Sequence, residues 1–269
     1  MLYSIFKCRM SSPTPSVCLK KATGLPGRLN DLVVVEEGDH LPSVLVFFGG
    51  DVQDLLEVME VHRDNKRYLA WSLESVARLL ARAMPSHQVV VVRPSRRERA
   101  TFSCYDNFVP TDSVGSPKHA PSCGAVTHLT ALLREGLGGS SDRPVSLVGF
   151  SKGVVVLNQI LREISVEEGL RIEKMVWLDG GHNGGKDIWP TDKKLLEVLV
   201  EKKISVDVRV SPYQVKNPLR PWLGREEKLF TGTLKRLGAD ITRKLYFEEE
   251  EPSIETHFRV IETLAIDPM

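Results

Sequence analysis

Residues 145–164 have the sequence VSLVGFSKGVVVLNQILREI, and this stretch decides the fold. The apolar run VSLVGF is typical of a strand buried on both faces of a parallel sheet, and SKGVVVLNQILREI follows it directly as a helix. At their junction, Gly149, Ser151 and Gly153 match the pattern G-x-S-x-G, in which a serine occupies a sharp turn between strand and helix. We expect both glycines to be required, because a Cβ there would collide with the neighbouring strand or helix. This setting favours Ser151 as a nucleophile over an ordinary turn serine.

Strand and helix patterns alternate on both sides of this junction, from about Ser43 to the end of the chain. The strand patterns are SVLVFFGGD, HQVVVVRPS, KMVWLDGG, ISVDVRVSPYQV and ITRKLYFEE, and the helical patterns include SLESVARLLARAM, AVTHLTALLREGL, DKKLLEVLVEKK, REEKLFTGTLKRLG and HFRVIETLAI. Such alternation predicts a single α/β domain with a mostly parallel central sheet and helices on both faces. In folds of this class the ligand site lies at the carboxyl ends of the strands. The loops at those ends therefore hold the candidate functional residues.

The composition argues against several classes of function. A chain of 269 residues with a formal net charge of +1 has no overall field that would attract nucleic acid, and no apolar run is long enough for a transmembrane segment. The histidines and cysteines have no spacing typical of a metal site, and no G-x-G-x-x-G follows an early strand, so we expect no metal and no other cofactor. The cysteines form no C-x-x-C pair, which is typical of free thiols in a reducing compartment; they are Cys8, Cys18, Cys104 and Cys123.

The N-terminus differs from the remainder of the chain. Residues 1–30 contain five basic residues and no acidic one, and serine, threonine and proline cluster at residues 11–16. This composition is typical of an organellar transit peptide, and a disordered or alternatively initiated tail is the other interpretation. We therefore predict a targeting or disordered segment at residues 1–30 and the α/β domain at residues 31–269.

A serine nucleophile needs a general base and a carboxylate that orients the base. In α/β-hydrolases the acid and then the histidine follow the serine along the chain. Two histidines follow Ser151, namely His182 and His257. His257 comes after the last strand, where this order expects the base, whereas His182 comes too early. We therefore predict His257 as the base.

The position of the orienting acid is less constrained by the sequence. The loop after ISVDVRVSPYQV, the commonest place for the acid, has no carboxylate before Glu226. We favour Asp179, which ends the KMVWLDGG strand, where some α/β-hydrolases carry their acid. Asp207 and Glu255 stay open as alternatives, although the alternation of Asp207 with valines predicts a side chain that faces solvent beside Arg209.

Acyl transfer also needs backbone donors for the oxyanion that forms on the substrate. The N–H of Lys152, at the start of the helix, is one candidate. The SVLVFFGGD strand supplies the other, because Gly50 allows close backbone approach and the N–H of Asp51 follows it. The alternative interpretation is a glycine turn that only ends the strand.

Several longer stretches carry a resemblance to a known family. They lie between Ser43 and Ile261 and are FFGGDVQD, WSLESVA, FSCYDNFV, LVGFSKGVVVLNQ, WLDGGHNGG, VSPYQVKNPLRPWLG and PSIETHFRV. In them the chain resembles the chromosome 2 open reading frame 69 family, whose members are placed in the α/β-hydrolase superfamily. The resemblance implies an α/β-hydrolase-like domain, a mitochondrial location, in the matrix, and a link to respiratory function. The family pattern includes Ser151, Asp179 and His257, while Gly49 stands where the family usually has proline.

Two hypotheses of function follow from these residues. The first is a serine hydrolase that cleaves an ester or thioester of a small or acyl substrate, with Ser151, His257 and Asp179 as its triad. The second is a catalytically silent protein of the same fold that binds or scaffolds partners in mitochondria. The absence of a carboxylate in the commonest acid loop motivates the second.

Overall fold

The structure is a computed structural model that describes residues 14–36, 41–113, 115–139, 142–167, 169–183 and 187–268. Its centre is an eight-stranded sheet with the strand order β1-β2-β4-β3-β7-β8-β9-β10, and β5 and β6 form a separate hairpin. The strands are β1 (Val17–Thr23), β2 (Leu29–Val35), β3 (Ser43–Phe48), β4 (His87–Val92), β5 (Arg96–Glu98), β6 (Phe102–Cys104), β7 (Val145–Phe150), β8 (Ile172–Leu178), β9 (Ser205–Val210) and β10 (Ile241–Leu245). From β4 to β10 all neighbouring strands are parallel, while β1 and β2 are antiparallel additions at one edge.

Helices cover both faces of the sheet, as the alternating patterns predict. They are α1 (Leu56–Val61), α2 (Leu73–Ala83), α3 (Ala125–Gly136), α4 (Val154–Glu163), α5 (Lys193–Glu201), α6 (Pro212–Val215), α7 (Pro221–Arg236), α8 (Ile254–Arg259) and α9 (Thr263–Ile266). Apolar residues of α3, α4, α5 and α7 form one core, and those of α2, α8 and α9 form the other. Every residue of β7 is buried, because this strand lies near the middle of the sheet between the two cores. Among the described residues no helix combines the length and the apolar character needed to cross a bilayer.

The strands of the central sheet begin before the predicted boundary at residue 30. β1 pairs along its whole length with β2, so Val17 opposes Val35 and Thr23 opposes Leu29. The apolar residues 32–35 of β2 are buried, and β1 satisfies the backbone groups at the outer edge of this strand. Of the predicted N-terminal segment, residues 1–13 lie outside the described part of the chain.

One strand is shorter than its pattern predicts. The stretch ISVDVRVSPYQV is a strand only to Val210, and Pro212 starts the short helix α6. Proline suits the first turn of a helix, where its missing N–H would have no partner, and it cannot donate to a sheet. Ser211 is therefore left at the carboxyl end of β9, on the edge where ligand sites form.

Candidate active site

Ser151 occupies the strained turn between β7 and α4 that its motif predicts. Its φ is +51°, a left-handed conformation that non-glycine residues rarely adopt, and the residue is 9 % exposed. A Cβ added to Gly153 would lie 2.0 Å from the carbonyl oxygen of Phe48, and one added to Gly149 would lie 3.0 Å from the N atom of Val154. The two glycines thus let the turn pass against the end of β3 and keep Ser151 at the carboxyl edge of the sheet.

His257 and Asp179 meet at the same edge of the sheet. The Nδ1 of His257 lies 2.7 Å from Oδ2 of Asp179, although 78 residues separate them in the chain. Asp179 is fully buried and His257 is 6 % exposed. Like Ser151, Asp179 follows directly on a parallel strand and has a positive φ of +44°. Because Asp179 contacts Nδ1, the other ring nitrogen, Nε2, is the one left for a reacting group.

Local structure fixes the position of His257 on α8. Ser253 caps this helix, and its side chain and that of Thr256 each accept the other's backbone N–H in a capping box. The helix therefore begins before the predicted HFRVIETLAI stretch, and His257 is the fourth residue of α8. Two aromatic rings flank the imidazole: Phe150 with its centroid 4.6 Å away and Tyr213 with its centroid 4.8 Å away.

Ser211 is a site residue that the sequence did not indicate. Its backbone N–H donates to Oδ1 of Asp179 at 2.7 Å, and its hydroxyl donates to Oδ2 at 2.5 Å. Asp179 therefore accepts from Ser211 with both oxygens, while Oδ2 also contacts His257. Its position along the chain is the feature by which the sequence could have identified it. Ser211 follows a parallel strand directly, as Ser151 and Asp179 do.

Of the three carboxylates considered for the acid, only Asp179 contacts His257. Asp207 is 7 % exposed and pairs with Arg209 at 2.8 Å, so the expectation that it faces solvent is wrong. The C-terminal residues cover this face of β9, and Arg209 also donates to the carbonyl oxygens of Thr263 and Asp267. Glu255 is exposed on α8.

The loop after β3 is held by hydrogen bonds that orient its peptide groups. The N–H of Gly50 donates to Oε1 of Gln53 at 2.8 Å, so Gly50 is not available as an oxyanion donor. A Cβ at Gly50 would lie 2.7 Å from the Cβ of Ser151. The glycine therefore allows the loop after β3 to approach Ser151 closely. The hydroxyls of Tyr105 and Ser103 donate to the carbonyl oxygens of Gly49 and Gly50, at 2.9 Å and 2.7 Å.

The N–H groups of Asp51 and Lys152 remain as donors beside Ser151. Within the described part of the chain, neither group donates to another residue. Lys152 belongs to the short helical turn Ser151–Gly153, which leads directly into α4. In such a first turn the N–H groups have no intrahelical acceptor, and the helix dipole favours negative charge. Asp51 directly follows Gly50, whose added Cβ would lie 2.7 Å from the Cβ of Ser151. Both N–H groups are thus candidates for binding an oxyanion on a carbonyl that Ser151 attacks.

The charges around this turn are perturbed by burial. Burial raises the pKa of Asp51, and the nearby positive charge of Lys152 opposes that rise most strongly. Burial, together with Lys152 and His119, lowers the pKa of His182 to about 3, so this histidine is neutral at ordinary pH. The histidine that contacts the carboxylate of Asp179 is His257. In the described residues no three histidine, cysteine or acidic side chains gather into a set of metal ligands.

No hydrogen bond joins Ser151 Oγ to His257 among the described residues. His257 nevertheless lies close to the turn, because the ring of Phe150, the residue before the serine, packs against the imidazole. Serine–histidine contacts are often long without substrate and tighten in the complex. The arrangement can therefore carry out nucleophilic attack, proton transfer and oxyanion binding once a substrate aligns the two groups.

Comparison with known sequences places this site in a described family. A family model described as C2orf69 matches residues 18–143 and 139–240. The chain is 39 % identical to the mitochondrial protein C2orf69 homolog of Danio rerio in an alignment of 261 positions that covers 87 % of this chain and 75 % of the relative. It is 34 % identical to mitochondrial protein C2orf69 of Homo sapiens in an alignment of 281 positions that covers 81 % of this chain and 73 % of the relative.

Comparison with solved structures shows the α/β-hydrolase fold of esterases. The esterase Est22 matches with a TM-score of 0.52 and 12 % identity, over 94 % of this chain and 79 % of that chain. An esterase of Pyrobaculum calidifontis matches with a TM-score of 0.53 and 14 % identity, over 95 % of this chain and 83 % of that chain. At these identities the likeness extends to the fold alone.

Proposed function

This chain belongs to the C2orf69 family, and from that premise we propose that it is a mitochondrial serine hydrolase that cleaves an ester or thioester of a small acyl substrate. The observation that carries the proposal is the geometry at the sheet edge. A serine with a φ of +51° directly follows Phe150, whose ring packs against a histidine, and Nδ1 of that histidine is 2.7 Å from a fully buried carboxylate. Strained backbone at a strand end and a buried carboxylate–histidine contact are typical of a nucleophile with its base.

In the proposed reaction, Oγ of Ser151 attacks the substrate carbonyl while Nε2 of His257 takes the hydroxyl proton. Asp179 holds the imidazole in the tautomer with the proton on Nδ1 and stabilises the imidazolium that forms. The N–H groups of Lys152 and Asp51 bind the oxyanion of the tetrahedral intermediate. His257 then protonates the leaving alcohol or thiol, and a water molecule, activated by the same imidazole, hydrolyses the acyl-serine.

A fluorophosphonate probe tests this function without knowledge of the substrate, because it phosphonylates an activated serine. The folded wild-type protein should be labelled, and Ser151→Ala should abolish labelling. Ser146→Ala is the matched control, since Ser146 is a buried serine at the other end of the same strand. Absence of labelling on folded wild-type protein would contradict the hydrolase proposal.

The missing hydrogen bond between Ser151 and His257 favours one other function, a catalytically silent protein that binds partners through the same fold. We propose this as the second candidate. It predicts that Ser151→Ala restores respiration in cells that lack the protein as well as wild type does. Failure of Ser151→Ala at wild-type protein levels, with rescue by Ser146→Ala, would argue for the hydrolase.

We propose a location in the mitochondrial matrix, supported by the mitochondrial names of the relatives and by residues 1–16, before β1, which contain Lys7 and Arg9 and no acidic residue. A link to respiratory function belongs to the same proposal. The full chain with a C-terminal tag should be resistant to added protease in intact mitochondria and in mitoplasts, and it should be digested after detergent. Digestion in mitoplasts would place the protein in the intermembrane space instead.

A further inference from the structure

Asp51 and Lys152, the two proposed backbone donors, also carry side chains of opposite charge. The Lys152 side chain is fully buried, and among the described residues its Nζ has no hydrogen-bond partner. An ammonium group inside a protein is costly unless a negative charge compensates it. The carboxylate of Asp51 is the negative group of this region, because its Oδ1 accepts from the N–H of Ser103 at 2.7 Å. Burial raises the pKa of this carboxyl, and the charge of Lys152 opposes that rise more than any other charge does.

The position of the ammonium group links this pair to the strand β6. A Cβ added to Gly115 would lie 3.0 Å from Nζ of Lys152, 2.9 Å from Sγ of Cys104 and 3.3 Å from the carbonyl oxygen of Ser103. The Lys152 side chain therefore reaches from the start of the helix towards the end of β6. Nζ of Lys152 and the carbonyl oxygen of Ser103 thus both border Gly115, and Ser103 is also the residue that binds the loop after β3.

Ser103 contacts the loop at two points. Its N–H donates to Oδ1 of Asp51 at 2.7 Å, and its hydroxyl donates to the carbonyl oxygen of Gly50 at 2.7 Å. The carbonyl of Gly50 and the N–H of Asp51 belong to one planar trans peptide, in which the two groups point in opposite directions. By fixing the carbonyl of Gly50, the hydroxyl of Ser103 fixes the direction of the N–H of Asp51.

We infer that Ser103 and the side-chain pair of Asp51 and Lys152 position the oxyanion hole, a role that rests on the proposed hydrolase function. Ser103 sets the direction of the peptide that donates from the loop after β3. The attraction between the two charges draws that loop towards the start of the helix, where the second N–H lies. Asp51 and Lys152 thus act through their side chains as positioning residues in addition to supplying backbone donors.

The other groups around the pair leave this assignment intact. Arg97 and His257 also act on the carboxylate of Asp51, but more weakly than Lys152 does. Arg97 donates to the carbonyl oxygen of Thr101 at 3.1 Å and to the hydroxyl of Ser103 at 3.0 Å, and it lies 3.6 Å from a carboxylate oxygen of Asp54. Asp54 is therefore the carboxylate that compensates the charge of Arg97. Among the described residues Lys152 has no such carboxylate apart from Asp51.

The first test measures rate constants of fluorophosphonate labelling on folded protein. Ser103→Ala should lower the rate constant about tenfold or more, the effect of one lost hydrogen bond in a desolvated site, and Ser103→Thr, which keeps the hydroxyl, should restore most of it. Ser146→Ala, the buried serine of β7, should leave the rate constant unchanged. Equal rate constants in Ser103→Ala and Ser146→Ala would overturn the role of Ser103.

The second test is a double-mutant cycle on the charge pair. Asp51→Asn keeps an acceptor for the N–H of Ser103 but removes the charge, and Lys152→Met removes the cation. Each single variant should label about tenfold more slowly, and the double variant should be faster than the product of the two effects predicts. Effects that multiply without coupling would overturn the role of the pair.

A wild-type protein that is not labelled would refute the hydrolase function but would still leave the inference testable. Amide hydrogen exchange at Asp51 and Lys152 then replaces labelling as the readout. Faster exchange at these two N–H groups in Ser103→Ala than in Ser146→Ala supports the positioning role. Equal exchange in the two variants overturns it.

Discussion

Ser211→Ala separates the contribution of Asp179 to folding from its contribution to reactivity. The substitution removes one hydroxyl that donates to Oδ2 of Asp179 at 2.5 Å and leaves the backbone donation to Oδ1 at 2.7 Å. Both residues are fully buried, so no water is positioned to replace the lost donor without a rearrangement. The carboxylate keeps its contact with His257 but loses the partner that fixes its rotation.

The size of the effect follows from the kind of hydrogen bond removed. A hydroxyl that donates to a buried carboxylate contributes about 1.5–3 kcal/mol, so the free energy of unfolding should fall by that amount. Fluorophosphonate labelling should slow about tenfold, well short of the roughly 10⁴-fold loss caused by removing a triad acid, because Asp179 itself remains. Asp179→Asn should show the larger loss.

Urea unfolding and labelling rate constants measure the two effects. Ser211→Thr keeps a hydroxyl and should restore most of both. Ser205→Ala is the matched control, because Ser205 lies at the other end of β9 and its hydroxyl donates to Asp240. Wild-type stability and an unchanged labelling rate in Ser211→Ala would refute the view that Ser211 holds the acid.

Three further predictions rest on separate contacts. Gly153→Ala should prevent folding, seen as loss of soluble protein and of near-UV circular dichroism, because its Cβ would lie 2.0 Å from the carbonyl oxygen of Phe48. Asp207→Asn leaves the buried Arg209 uncompensated and should cost about 3 kcal/mol in urea unfolding, while labelling of the folded protein stays near wild type; abolished labelling would make Asp207 the acid instead. Burial lowers the pKa of His128 to about 4, so below pH 6.5 the unfolded chain takes up a proton that the folded chain does not, and stability falls with falling pH. Between pH 7 and pH 5 wild type should lose about 2 kcal/mol relative to His128→Gln, and parallel pH profiles would contradict this.

The sequence by itself determined the features that depend on short stretches of chain. The motif around Ser151 predicts the turn because part of its steric demand is local: a Cβ on Gly149 would lie 3.0 Å from the N atom of Val154. The alternation of strands and helices predicts the mostly parallel sheet, because each pattern shows which face of an element is buried. The order of the chain also identified His257, since the last helix of such a sheet returns to the carboxyl edge.

Only the tertiary structure decided which side chains meet at that edge. Asp179 and Ser211 are 32 residues apart, and neither belongs to a sequence motif that would predict their contact. Asp207 has the period of an exposed residue, yet the C-terminal segment covers it, and this contact is invisible in the local pattern. The side chain of Gln53 accepts a hydrogen bond from the N–H of Gly50. The N–H of Asp51 is therefore the one that stays available as an oxyanion donor in this loop. Such choices depend on which distant segments pack together, because hydrogen bonds at the sheet edge form between loops that the sequence does not pair.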